Sequence, residues 1–155
     1  MKVKTEKSAG GVVFKLPDKK NFSLEEVEWL VIQHSQHKGW GFPKGLIGDI
    51  HKDEDPKEAA LREVEEEGGV KAEIVDEDYV ESKYTFRWKD ALIKKTVYFY
   101  LMRYLSGDPK DHDWEVSDAT FLPTSEVLKR LTYDSDKEVF KKMLEKFTKI
   151  YDVNS

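Results

Sequence analysis

Hydrophobic residues fall into short alternating or continuous runs over most of this chain, and take up the 3.6-residue period of helices near its middle and at its end. Residues 7–15 (KSAGGVVFK) predict a strand with small residues at its start, where Gly10 and Gly11 admit a ligand, a neighbouring backbone or a bulge. Pro17 and its polar neighbours predict a loop over 16–23, and residues 26–34 (EVEWLVIQH) a second strand, buried at Trp29, Leu30, Val31 and Ile32. A short strand is expected at 71–76, then an antiparallel pair at 79–88 and 91–104 turning near Lys89 and Asp90. The second of that pair is rich in aromatics, and one end of it is expected to be buried on both faces. Beyond a loop over 106–113, residues 116–122 predict a last strand closed by Pro123. Residues 124–131 then form a short helix with Val127, Leu128 and Leu131 inward. The stripe Val139, Phe140, Met143, Leu144, Phe147 and Ile150 predicts an amphipathic helix over 136–151 that covers a sheet face.

Between these elements lies the densest local signal, residues 41–70, reading GFPKGLIGDIHKDEDPKEAALREVEEEGGV. Asp55 can cap a helix, Pro56 suits its first position, and Glu58 three residues after the cap predicts a capping box. Gly68 and Gly69 supply the left-handed residue that stops it about 12 residues later, or roughly 18 Å. On a helical wheel Ala60, Leu61 and Val64 form an apolar wedge, Glu58, Arg62 and Glu65 a solvated or locally paired side, and Glu63, Glu66 and Glu67 a third sector.

Three carboxylates at i, i+3 and i+4 repel one another and raise each other's pKa. A hard divalent cation such as Mg²⁺ or Mn²⁺ resolves that conflict and leaves coordination positions for substrate phosphates. Taken alone, EVEEE reads more readily as a solvated acidic face. The wider spacing argues otherwise: Gly48, Glu54, Arg62-Glu63-Val64, Glu66-Glu67 and Gly69-Val70. Any six of these positions alone, each at about 7% usage, coincide by chance on the order of once in 10⁷ windows. Lys44 on the FPKG turn is a candidate phosphate contact rather than merely a solvated lysine. His34, Gln36, His37, Lys38 and Trp40 feed into the same turn and are candidates for substrate contact.

Composition narrows the classes. Residues 1–155, without repeats or a flexible linker, predict a single domain large enough for a real core. The net charge is −5 with acid concentrated around the motif helix, which argues against stable nucleic-acid binding. With no cysteine there is no disulfide framework, cysteine zinc site or thiol nucleophile. No N-terminal signal core and no apolar run near 18 residues occur, so no membrane span is expected and the cytoplasm is the default location.

The spacing from Gly48 to Val70 resembles the Nudix box, the signature of hydrolases that cleave a nucleoside diphosphate linked to another moiety. KSAGGVVF, FPKG, KKTVYFYLMRY and WEVSDATFLPTSEVL extend the likeness, from about Ser8 to Phe147, to the asymmetric diadenosine polyphosphate hydrolases. The resemblance implies an α/β fold, an α/β/α sandwich with a mixed β-sheet. It implies that Glu63, Glu66 and Glu67 bind Mg²⁺ or Mn²⁺, and that Arg62 pairs with Glu54 and holds the catalytic geometry. Glu115 takes the place of a further glutamate that binds metal or acts as base, although a lone loop glutamate is also an ordinary solvated residue. Relatives have five residues between the FPKG glycine and the box glutamate, whereas here residues 46–53 intervene, an insertion of three. Gly45 rather than Gly48 is therefore expected to bring its carbonyl beside the carboxylates, with residues 49–53 bulging outward.

The expected substrate is a nucleotide. Lys44, Lys94 and Lys95 would meet its phosphates, Trp40, Tyr84 and Tyr133 would stack on it, and His37 would touch it from the loop. The implied reaction is in-line attack of metal-activated water without a covalent intermediate, converting diadenosine tetraphosphate to ATP and AMP. Alternatives are a pyrophosphatase that sanitises oxidised nucleoside triphosphates, an RNA 5′-end pyrophosphohydrolase, and a non-catalytic nucleotide-binding Nudix module.

Overall fold

The computed structural model describes residues 2–48 and 53–153. Two long strands run parallel at the centre of a mixed sheet, β1 (Lys2–Lys15) and β7 (Ala91–Gly107), in register from Lys2 opposite Ala91 to Phe14 opposite Arg103. Every other pairing among the described residues is antiparallel. β2 (Glu28–His34) joins the end of β1 through Phe14 and Trp29, then carries β3 (Trp40–Gly41) on one edge and β8 (Val116–Pro123) along its length. β4 (Lys44–Leu46) pairs with the middle of β1, at Ser8, Ala9 and Gly10. β5 (Val70–Ile74) and β6 (Val80–Trp88) share the outer side of β7.

Period-two alternation gives this sheet two apolar faces, and one helix layer covers each. On one face Val12, Phe14, Trp29, Val31, Val97, Phe99 and Leu101 pack on Val139, Phe140, Met143 and Phe147 of α3 (Asp134–Ile150), with α2 (Thr124–Arg130) adding Val127. Aromatic edges lock that layer, with Phe14 and Phe147 centroids 4.9 Å apart and Trp29 and Phe140 5.1 Å apart. On the other face Ala9, Val13, Leu30, Tyr100 and Met102 receive Ala59, Ala60 and Val64 of α1 (Pro56–Gly68). No helix among the described residues is long and apolar enough to cross a membrane.

Several local expectations change. Asp55 caps α1 through the Lys57 amide at 2.8 Å, one residue short of Glu58, so no capping box forms. Gly69 ends the helix at φ 74°. Ala59 takes the buried place expected of Leu61, which is exposed, because the stripe facing the sheet is Ala59, Ala60, Glu63, Val64 and Glu67. Of the FPKG segment, Phe42 and Pro43 join the short strands β3 and β4, and Lys44 and Gly45 already belong to β4. β1 begins at Lys2 rather than residue 7, since its main-chain ladder with β7 runs on past the apolar pattern. At Gly10 it is a neighbouring backbone that comes close: a Cβ there would strike the Pro43 carbonyl and the Lys44 Cβ. Gly48 is described, whereas residues 49–52, most of the expected bulge, lie outside the described residues.

Candidate active site

The motif helix α1 turns Glu63 and Glu67 inward, where both are buried, and leaves Glu66 nearer solvent. Of the two alternatives the helical wheel gives Arg62, solvated or locally paired, it takes the paired one. Its long side chain reaches round to form a two-pronged pair with Glu54, Nε to Oε2 at 2.8 Å and Nη2 to Oε1 at 2.9 Å. Its remaining nitrogen, Nη1, donates to Glu63 at 2.6 Å and to Glu66 at 3.4 Å. Glu54 Oε1 also accepts from the Gly48 amide at 3.1 Å, where Gly48 has φ 85°. Gly48 thus serves the Glu54–Arg62 clamp, and Gly45 lies against Glu63. A Cβ on Gly45 would run into the Glu63 carboxylate, so only glycine lets β4 pass that close.

β4 alternates at the sheet edge. Lys44 enters a pocket of about 800 Å³ on the α3 side, and Gly45 faces α1. Glu63, Glu66, Glu67 and Glu115 line this pocket together with Lys44, Lys95, Trp40, His37, Tyr84 and Tyr133. Lys94 does not belong to it. Neighbouring strand residues point to opposite faces, so with Lys95 directed into the pocket Lys94 is exposed on the other side of β7. The same alternation divides the aromatics: Tyr84 and Phe86 line the pocket, while Tyr98 and Tyr100 pack on the α1 side.

Charge in this pocket is strongly coupled. Burial pushes the Glu67 carboxyl up to about 8, against the Lys44 amide at 3.0 Å and the Lys44 charge, with Glu63 and Asp113 adding to the rise. Burial lowers the Lys44 ammonium, but Tyr84, Asp136 and Glu67 outweigh it and hold the pKa above its ordinary value. Burial and the neighbouring Lys44 lower Lys95. The His34 and His37 rings are stacked 4.4 Å apart, and burial lowers both, helped by Lys44 and, for His37, by His34. Tyr133 reaches His37 Nδ1 at 3.2 Å, and the Arg130 guanidinium covers the Trp40 ring at 4.7 Å.

Asp136 is the residue that sequence reasoning missed. It lines the pocket 9% exposed and faces Gly41 and Lys44, and its carboxyl accepts no hydrogen bond from a described residue. Burial raises its carboxyl, with Lys44 opposing. The signal was present: Asp136 stands three and four residues before Val139 and Phe140, an acid on the apolar stripe of α3.

Among the described residues no three acidic or imidazole side chains form a closed ion cage as they stand. Arg62 engages Glu63 and Glu66, and Glu67 is turned to the Lys44 amide. The donor set nevertheless fits a hard divalent cation. It is all oxygen, it lines one pocket, and burial lifts the Glu67 carboxyl to about 8 even against the Lys44 charge.

In this α/β/α fold the helix on one face presents carboxylates to a lysine-bearing, aromatic-walled pocket, an arrangement that can hold a divalent cation and phosphate groups. The NUDIX domain matches residues 13–143, and the chain belongs to the Nudix hydrolase family, whose members generally use divalent metal ions. It is 33% identical over 100 residues to the provisionally named mutator protein MutT4 of Mycobacterium tuberculosis, a match covering 64% of this chain. The matched region spans about two-fifths of that relative, 39% of its length. Among solved structures, the C. elegans Ap4A hydrolase in a binary complex aligns with TM-score 0.65 and 22% identity over 94% of this chain and 99% of its own. The NUDIX domain of Shewanella oneidensis NrtR complexed with ADP ribose aligns with TM-score 0.63 and 20% identity, over 92% and 88%. At such identities the likeness is one of fold.

Proposed function

We propose that this protein hydrolyses dinucleoside polyphosphates asymmetrically, converting diadenosine tetraphosphate to ATP and AMP. The observation that carries this reading is the continuity of one pocket, from stacking rings at Tyr84 and Tyr133, past the cations of Lys44 and Lys95, to the carboxylates of α1. The near full-length likeness to the C. elegans Ap4A hydrolase supports it.

Glu63, Glu66 and Glu67, with Glu115 and the Gly45 backbone, would hold the divalent ion. Bound there, such an ion makes water a stronger nucleophile at neutral pH and neutralises phosphate charge. The remaining work falls to the chain. Lys44 and Lys95 set fixed positive charge along the phosphates, Tyr84 and Tyr133 hold a base between apolar faces, and the Arg62–Glu54 clamp keeps Glu63 from swinging away. The water oxygen bonds to an off-centre phosphorus and gives up a proton to one of the pocket carboxylates, the bridging P–O bond breaks, and the leaving nucleotide takes the electron pair.

A second reading, hydrolysis of an oxidised nucleoside triphosphate, is favoured by the identity to the mutator relative and by Asp136, a buried carboxyl able to bond a base N–H. Ion-exchange analysis of the products, run with Mg²⁺ against a panel of normal and oxidised nucleotides, separates the two. ATP and AMP in equal amounts are expected from diadenosine tetraphosphate. Two ADP would refute the asymmetric assignment, and a far higher kcat/KM for an oxidised nucleotide would favour the second reading.

A further inference from the structure

We infer that a second cleft, on the α1 side of the sheet edge, receives the second nucleoside of the substrate, an assignment that rests on the reading above. This cleft has a volume of about 640 Å³ and is lined by Thr5, Lys7, Ile47, Pro56, Tyr79 and Tyr98, with Glu6 and Glu54 at its walls. It adjoins the first pocket directly, because Leu46 lines both. β4 is the sheet edge at this point, so a chain of phosphates leaving the α1 carboxylates crosses Leu46 to pass from one face to the other.

The scale is right for that crossing. Gly45 pairs with Ala9, and Thr5 lies four residues further along β1, about 13 Å at 3.3 Å per residue. That is comparable with a four-phosphate bridge and its ribose. Glu54 is closed off by its pair with Arg62, and Glu6 stands beside Lys95 on the opposite face of β1, so the cleft presents Thr5, Lys7 and the Tyr79 and Tyr98 rings, with Lys7 placed to meet a ribose hydroxyl or its phosphate. Tyr79 provides the platform. Its ring packs edge-on against Tyr98 at 4.6 Å and Tyr100 at 5.9 Å, which fixes its orientation, yet it remains 45% exposed. A rigid, half-exposed aromatic beside an active-site rim is a surface on which any base can stack.

The test compares kcat/KM for diadenosine tetraphosphate with that for adenosine tetraphosphate, which carries the same phosphates without the second nucleoside. Tyr79→Ala should lower this ratio about tenfold, the scale of one lost base–aromatic stack, and Tyr79→Phe should restore it. Thr5→Trp, which fills the cleft from an exposed strand position, should lower the ratio likewise and decides the matter if Tyr79→Ala does not fold. A ratio unchanged in the folded variants overturns the cleft while leaving the proposed reaction standing. If the wild-type protein cleaves no dinucleoside polyphosphate, the proposed reaction fails and the cleft assignment fails with it.

Discussion

Glu67 is nearly buried, and its carboxyl, pushed up to about 8, keeps a proton at neutral pH unless a cation takes its place. With a pKa of about 8, roughly nine molecules in ten are protonated there at pH 7. A divalent ion needs the carboxylate, so its binding at pH 7 should release about 0.9 proton from this group. Apparent affinity should rise about fiftyfold between pH 6 and pH 8, the ratio of the factors 1 + 10^(8−pH) at the two values, and level off above about pH 9. Calorimetric titration of the protein with Mn²⁺, repeated in buffers of differing ionisation enthalpy, measures both quantities. Glu67→Gln should abolish the proton release and reduce turnover by at least about 10³, equivalent to about 4 kcal/mol of barrier. The metal-free protein carries a matching signature. The folded pKa lies above the ordinary glutamate value of 4.5, so the stability this proton contributes is full below about 4.5 and is lost as pH rises through about 8. An affinity that stays flat from pH 6 to 8, with no proton released, would refute the reasoning.

Two further outcomes test the clamp and the close approach. Arg62→Lys keeps the charge but cannot hold Glu54 at two points and Glu63 at a third, so kcat should fall on the order of tenfold to a hundredfold, with about 1–3 kcal/mol lost in chemical unfolding; kinetics within twofold of wild type would contradict it. Gly45→Ala places a methyl where the Glu63 carboxylate lies, and should weaken Mn²⁺ binding about tenfold or more while the circular dichroism spectrum is retained; Gly48→Ala, by contrast, should act mainly on stability, because its strain at φ 85° falls on the Glu54 clamp.

Much of this molecule is local and therefore legible in the chain. The start and stop of α1 are written in Asp55, Pro56 and Gly69, and the stripe of α3 in residues spaced three and four apart. The spacing that places Glu63, Glu66 and Glu67 together needs only the pitch of one helix. Alternation along β7 likewise tells that Lys94 and Lys95 part company, and Tyr84 and Tyr98 carry no mark of which side each will serve. Choosing the side required the pairing of β1 with β7 and the docking of α1 on one face and α3 on the other. That docking puts Lys95 and Tyr84 beside Lys44 and sends Lys94 to solvent. It also carries Asp136 across 92 residues of chain to face Lys44, and makes Leu46 a ridge between two cavities. Periodicity is a property of neighbours in sequence and survives in any fold that keeps the element. Which faces meet is set by the burial of two separate apolar surfaces at once, and that condition exists only when the whole sheet has assembled.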